Sequence, residues 1–252
     1  MASAETTRSK FPAGELDSHA RADSSIYADG TYLKTNPSWH EEDSPWKAGQ
    51  VMKMLRKHKL QPSSIGEIGC GAGGVLSELI TKLPSTSAVG YEVSPQAYEI
   101  CSKKAAGRLE FRLRDLFETD DYYDLMLAMD VFEHVEDYIG FLRKLKRHGR
   151  SHLFHIPLDI NVLTVLRATP IKAVREDLGH LHYFTKDTAL RTLQTAGYTI
   201  RDWFYGPGML EGPPRKRIRA RIAYWPRKIA LSLHPDLAVR TLGGCTLLVL
   251  CE

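Results

Sequence analysis

A chain of 252 residues, 43% apolar and 25% charged, carries enough apolar surface for one full α/β domain with additions or for two small domains, which excludes a wholly disordered protein. The net charge of +4 is small and most of the excess lies in one late segment, so total charge selects no partner. No run of about 18 apolar residues occurs and residues 1–10 lack an apolar signal core, so no integral membrane segment and a cytoplasmic location are expected. The four cysteines, Cys70, Cys101, Cys245 and Cys251, lack metal spacing and are too few for a disulfide framework; free thiols are expected.

Residues 1–25 are small, polar and aperiodic and read as a disordered leader. From there to residue 60 the composition changes: Tyr27, Tyr32, Trp39, His40 and Trp46 are interleaved with Gly30, Pro37 and Pro45. Aromatics that dense must pack on something, either as a cap over the domain edge or as a lid over a ligand. Ser44-Pro45 supplies an N-cap with proline at the first helical position, predicting a helix through Lys59 that Gln61-Pro62 ends.

The next stretch, Ile65-Gly66-Glu67-Ile68-Gly69-Cys70-Gly71-Ala72-Gly73-Gly74, is a short β-type run ending in glycines, and Val75 to Ile80 follows at helical spacing. Strand, tight turn and helix start are predicted, a loop that lets a ligand touch main chain. Gly69, Gly71 and Gly74 also satisfy the dinucleotide pattern G-x-G-x-x-G. Glu67 argues differently: a carboxylate there opposes a pyrophosphate but suits an ammonium or sulfonium group. The sequence acid-x-Gly-x-Gly-x-Gly resembles the first motif of the class I S-adenosylmethionine-dependent methyltransferases. That resemblance implies S-adenosylmethionine as cofactor, with its methionine ammonium end held by Glu67 and the backbone of Gly69, Cys70, Gly71 and Gly73.

Ala88 to Val93 reads as a second strand with Glu92 at its end, placed for ribose hydroxyls of either adenosine cofactor, and Ser94-Pro95 opens a helix to about Ala105. Leu109 to Arg114 alternates as a third strand and delivers Asp115 and Leu116, which the resemblance assigns to adenine, as it assigns Val93 to the cofactor pocket. Tyr122 to Asp130 is a near-continuous apolar run, as a central parallel strand requires. Its continuation, Asp130-Val131-Phe132-Glu133-His134-Val135-Glu136-Asp137, resembles the fourth motif of small-molecule methyltransferases of the ubiquinone-biosynthesis type; Asp130 and Val131 would line the sulfonium side. In some such relatives, and in small-RNA terminal methyltransferases, an acid, Glu and His at this spacing hold a divalent cation. Here the acid is the shorter Asp and no fourth ligand follows in sequence, so no metal ligand is assigned.

A helix from Tyr138 to Arg147 leads to a fifth strand, His152 to Pro157, and residues 158–184 form an insertion expected to act as a substrate lid. Thr185 caps a helix that stops at Gly197, followed by a sixth strand (Thr199 to Tyr205) and a seventh (Cys245 to Cys251). The resemblance implies that the seventh runs antiparallel between the fifth and sixth. The expectation is therefore one α/β domain over residues 26–252, a Rossmann-like seven-stranded mostly parallel sheet with helices on both faces, an N-terminal aromatic cap and an inserted lid after the fifth strand. A dehydrogenase is the rival reading and would need a second domain, which is not found.

Methyl transfer gains mainly from alignment, and a base is needed only where the acceptor loses a proton. His134, His155 and His182 are the candidate catalytic histidines, with His180 beside the last; each could instead brace the rim. Residues 211–235 form a basic helical segment with Arg215, Lys216, Arg217, Arg219, Arg221, Arg227 and Lys228. It reads as a solvated helix, an anionic membrane or nucleic-acid patch, or a pocket for a phosphorylated acceptor. No RNA-binding module accompanies it, so a small-molecule acceptor and no nucleic acid are expected, acting through O or N of a natural-product, sugar or quinone-like intermediate. The alternatives are a metal-dependent 2′-O-methyltransferase-like enzyme on an RNA end and a non-catalytic cofactor-binding or membrane-surface protein. Oligomeric state is left open.

Overall fold

The structure is a computed structural model that describes residues 36–211 and 224–252. The predicted leader, Tyr27 and Tyr32 of the cap, and the Arg215 to Arg221 part of the basic segment lie outside the described residues. The strands are β1 (Ser64–Ile68), β2 (Ser87–Glu92), β3 (Leu109–Leu113), β4 (Tyr123–Met129), β5 (Gly149–Pro157), β6 (Ile200–Gly206) and β7 (Thr246–Cys251). Among the described residues they form one sheet in the order β3-β2-β1-β4-β5-β7-β6. Strands β1 to β5 pair in parallel, while β7 runs antiparallel to both β5 and β6, as the sequence led us to expect. The fifth strand starts at Gly149, three residues before the predicted His152, because Gly149 and Ser151 extend the ladder with Tyr123 and Leu125.

The connecting helices are α1 (Ser44–His58), α2 (Gly74–Lys82), α3 (Pro95–Cys101), α4 (Tyr138–Leu145) and α7 (Lys186–Thr195). Between β5 and α7 stand α5 (Val162–Arg167) and α6 (Thr169–Ala173), and α8 (Gly208–Glu211), α9 (Tyr224–Leu233) and α10 (Pro235–Leu242) lie between β6 and β7. Local chemistry sets the starts: the Ser94 hydroxyl accepts from the Ala97 N–H ahead of Pro95, and Thr185 and Thr188 form a reciprocal capping box on α7. Helix α3 ends at Cys101 rather than Ala105, where the chain tightens into a 3-10 turn, and α4 ends the same way at Leu145.

The sheet is covered on both faces. One face buries Phe132, Phe154, Leu142, Leu193 and Tyr198, and the other buries Val51, Met54, Leu76, Leu79 and Leu127 under α1 and α2. Strand β4 is buried from Leu125 to Met129, which is why its sequence is an unbroken apolar run rather than an alternating one. The order of strands reverses between β1 and β4, and the crevice outside the carboxyl ends at that reversal is where open α/β sheets bind ligands.

Candidate active site

The loop after β1 turns through left-handed conformations at Gly69, Gly71 and Gly73, with φ of 64°, 53° and 74°. At Gly73 a Cβ would also sit 2.6 Å from the Phe111 ring and 2.8 Å from Cys101 Cβ, whereas at Gly71 it would meet nothing within 4 Å. Gly73→Ala should therefore lower stability by about 2–4 kcal/mol, from about 1 kcal/mol of backbone strain and the rest from overpacking, while Gly71→Ala should cost only about 1 kcal/mol. Urea unfolding of the two variants measures the difference; equal losses would mean that the Phe111 contact is unimportant.

Glu67, on β1, is 2% exposed, and its Oε2 has no hydrogen-bond partner among the described residues. Burial pushes its carboxyl up to about 8, against the pull of the Lys47 ammonium. Glu92, at the end of β2, accepts from the Gly71 N–H at 2.8 Å through one oxygen and from the Val93 and Ser94 N–H groups at 2.9 and 2.8 Å through the other. Burial raises it even so. The Glu92 carboxylate thus locks the glycine loop to the second strand. The Asp115 carboxylate accepts from Phe117 N–H at 2.9 Å and caps the short turn Leu116–Glu118; Leu116 is fully buried and the Val93 side chain is exposed.

Asp130 follows β4 with φ of 57°, a left-handed conformation uncommon outside glycine. Its carboxylate is ion-paired to Lys47 Nζ at 2.8 Å and bonded to His155 Nδ1 at 2.6 Å. Burial opposes its ionisation, but His155 and Lys47 outweigh burial and hold the carboxyl below the usual range; Lys47, half-buried beside it, is lowered by desolvation but raised by more through Asp130. His155 is 1% exposed and its other ring nitrogen, Nε2, lies 2.9 Å from Thr246 Oγ1 on β7. The Trp46 ring meets the His155 ring in a T-shaped contact with centroids 5.4 Å apart, so the described part of the aromatic cap packs on this network. Val131 packs against Gly69.

The 3-10 turn Phe132–His134 carries a second cluster. Glu133 is fully buried, and neither of its carboxylate oxygens has a hydrogen-bond partner among the described residues. Burial and the nearby Asp130 push it well above the carboxylate range. His134 stands with Nε2 3.9 Å from Glu133 Oε1 and Nδ1 3.2 Å from the Gly179 carbonyl; burial and His180 lower it to about 4. The His180 ring meets the His134 ring edge to face at 4.8 Å, and its Nδ1 is 2.8 Å from Asp159 Oδ2. Glu133, His134 and His180 each offer a ligand atom within 4.8 Å of the others, a set that could hold a cation. His180 is the further candidate ligand that the sequence reading lacked. It arrives because the Leu181 and His182 N–H groups donate to the Glu133 carbonyl at 2.8 and 3.0 Å, clamping the insertion onto the turn. The His182 side chain bonds the carbonyls of Val135 and Glu136 and leans on Tyr138, a bracing position.

A Rossmann-like sheet of this order, with an acid-glycine loop at its switch point and an acid ending β2, defines the class I S-adenosylmethionine-dependent methyltransferase fold. The profile of the family described as the methyltransferase domain matches residues 39–202, and the chain belongs to that family. It is 33% identical over 90 residues to the ubiquinone biosynthesis O-methyltransferase of Methylobacterium nodulans, covering 33% of this chain and 35% of that protein. It is 24% identical over 152 residues to the ajmaline N-methyltransferase of Rauvolfia serpentina, covering 57% and 47%. The chain thus spans less than half the length of these curated relatives. In fold it is similar to magnesium protoporphyrin IX methyltransferase of Synechocystis PCC 6803 with bound S-adenosylhomocysteine, with a TM-score of 0.62 at 14% identity, covering 91% of this chain and 99% of that one.

Proposed function

We propose that the chain transfers a methyl group from S-adenosylmethionine to oxygen or nitrogen of a small-molecule acceptor. The observation that carries this reading is Glu67: a buried carboxylate oxygen without a partner, at the carboxyl end of β1 beside a loop of left-handed glycines, calls for a cationic donor from a ligand. The ammonium of the cofactor's methionine end meets that need, and the family membership and the O- and N-methyltransferase relatives agree with it. The bound cofactor supplies an electrophilic methyl group for in-line displacement. Around it Glu67 and the glycine loop hold the amino-acid end, Glu92 faces the ribose side, Asp115 and Leu116 bound the adenine side, and Asp130 and Val131 wall the sulfonium side. His155 acts by fixing Asp130, and His182 by fixing the turn below it. To His134 we assign the acceptor's proton.

A second reading is favoured by the Glu133, His134 and His180 cluster. Two orphaned carboxylate oxygens in a buried site, beside two imidazoles anchored by Gly179 and Asp159, fit a divalent cation that would polarise an acceptor hydroxyl and ease loss of its proton. His134 would then be a ligand rather than the base.

Calorimetric titration with S-adenosylhomocysteine, with NAD as control and EDTA present, tests the main reading. Micromolar binding of the first and none of NAD is expected; the reverse would overturn the assignment of Glu67. Repeating the experiment with magnesium or manganese in place of EDTA tests the second. Metal alone should then raise the unfolding temperature of the wild type and leave His180→Ala unchanged, and equal shifts in both would remove the cation from this cluster.

A further inference from the structure

Among the described residues ten large apolar side chains are exposed, and seven of them lie on α5, α9 and α10. Those helices pack on one another, α5 and α9 both against α10. On α9, Trp225, Ile229 and Leu233 recur at every fourth residue and so share one face, and they are 62%, 56% and 69% exposed. Leu237 continues the surface on α10, and α5 adds Val162, Val165 and Leu166, the last 77% exposed. Water-facing leucine and tryptophan in this density mark an interaction surface.

The charges on it have one sign. Helices α5, α6 and α9 carry Arg167, Lys172, Arg227 and Lys228 and no acid. On α10, Asp236 is taken up by Lys186 and Tyr205, and Arg240 by Asp187. The sequence running into α9 keeps the sign, with five Lys or Arg and no acid between residues 215 and 221. The face also borders the site: Asp159, which holds His180, stands three residues before α5.

We propose that α5, α9 and α10 form a docking face for an anionic lipid bilayer, with the apolar stripes in the boundary of the acyl chains and Arg167, Lys172 and Lys228 at the headgroups. A polyanion such as RNA would satisfy the cations but leave Trp225, Ile229, Leu233 and Leu166 in water, whereas an anionic bilayer satisfies both sets of side chains. The proposal does not depend on methyl transfer, so its test and that of the cofactor assignment fail separately.

The test is flotation of the full chain with vesicles of phosphatidylcholine alone and of phosphatidylcholine with phosphatidylglycerol. Binding to the second and not the first is expected, with a blue shift of tryptophan fluorescence and weakening by salt. Trp225→Ser and, on a different helix, Leu166→Ser should each weaken binding by about tenfold, and Lys228→Gln by about fivefold. Because these side chains are exposed, the variants should keep wild-type S-adenosylhomocysteine affinity and circular dichroism. Absence of flotation with the anionic vesicles, or flotation indifferent to both apolar changes, overturns the proposal. So does preferential binding to a mixed-sequence single-stranded RNA, or lipid-free self-association that shields Trp225.

Discussion

Glu67→Gln should weaken S-adenosylhomocysteine binding about tenfold and abolish the proton release that accompanies binding at neutral pH. The affinity loss follows from replacing a charge-assisted bond to an ammonium, worth about 1.5–3 kcal/mol, by a neutral one. The proton follows from burial: in the free protein Glu67 titrates at about 8 and is protonated at neutral pH, while an ammonium beside it favours the carboxylate. Binding must therefore expel up to about one proton, and wild-type affinity should rise with pH until it flattens above about 8. The sign for stability is the opposite. A carboxyl with a raised folded pKa contributes stability that is complete below its unfolded value of about 4.3 and lost as pH rises through the folded one. The glutamine variant without ligand should accordingly be more stable than wild type in alkali. Calorimetry in two buffers of different ionisation enthalpy reads the proton count, and an unchanged count in the variant would take Glu67 out of the cofactor's ammonium site.

The elements and topology of this fold were legible because their signals are local. An unbroken apolar run marks β4, Ser94-Pro95 and Thr185 mark helix starts, and the glycines after Glu67 mark the loop, so the sheet and its antiparallel seventh strand match the expectation. What was not legible depends on contacts between distant segments. His180 lies 46 positions from His134 in sequence, and only the backbone clamp from Leu181 and His182 to Glu133 brings it to the turn. Lys47 was missed for another reason: on an amphipathic helix that also carries Lys53 and Lys57, it looks like a solvated cation. One weak signal existed. A lysine in the first turn of a helix opposes the helix dipole, so its presence there asks for a compensating acid, which Asp130 supplies across the fold. Likewise Asp130 and His155 could be named individually, but the hydrogen bond between them and its continuation to Thr246 exist only once β4, β5 and β7 are paired.

That network gives Lys47→Met a large expected effect on stability, a loss of about 3 kcal/mol. Removing one partner of a buried ion pair costs about 3–5 kcal/mol because the other charge stays behind, and the lower end applies because Asp130 keeps its bond to His155 and 24% side-chain accessibility. Methionine fills the same volume, so packing of α1 contributes little to the loss. The pH dependence separates the electrostatic cause from a packing one. Asp130 has a folded pKa below its unfolded value of about 3.9, so the stability it contributes is present above that value and lost as pH falls through the folded one. Without Lys47 the depression is smaller and there is less to lose. The gap between wild type and variant should be widest near neutral pH and narrow only in strong acid, as the pH falls through the two folded values, both below the unfolded value of about 3.9. Unfolding by urea at several pH values measures it, and a gap that stays constant with pH would assign the loss to packing. Under the proposed assignment of Asp130 to the sulfonium side, with its left-handed conformation braced by Lys47 and His155, the same variant should also bind S-adenosylhomocysteine more weakly, with the proton release of Glu67 retained.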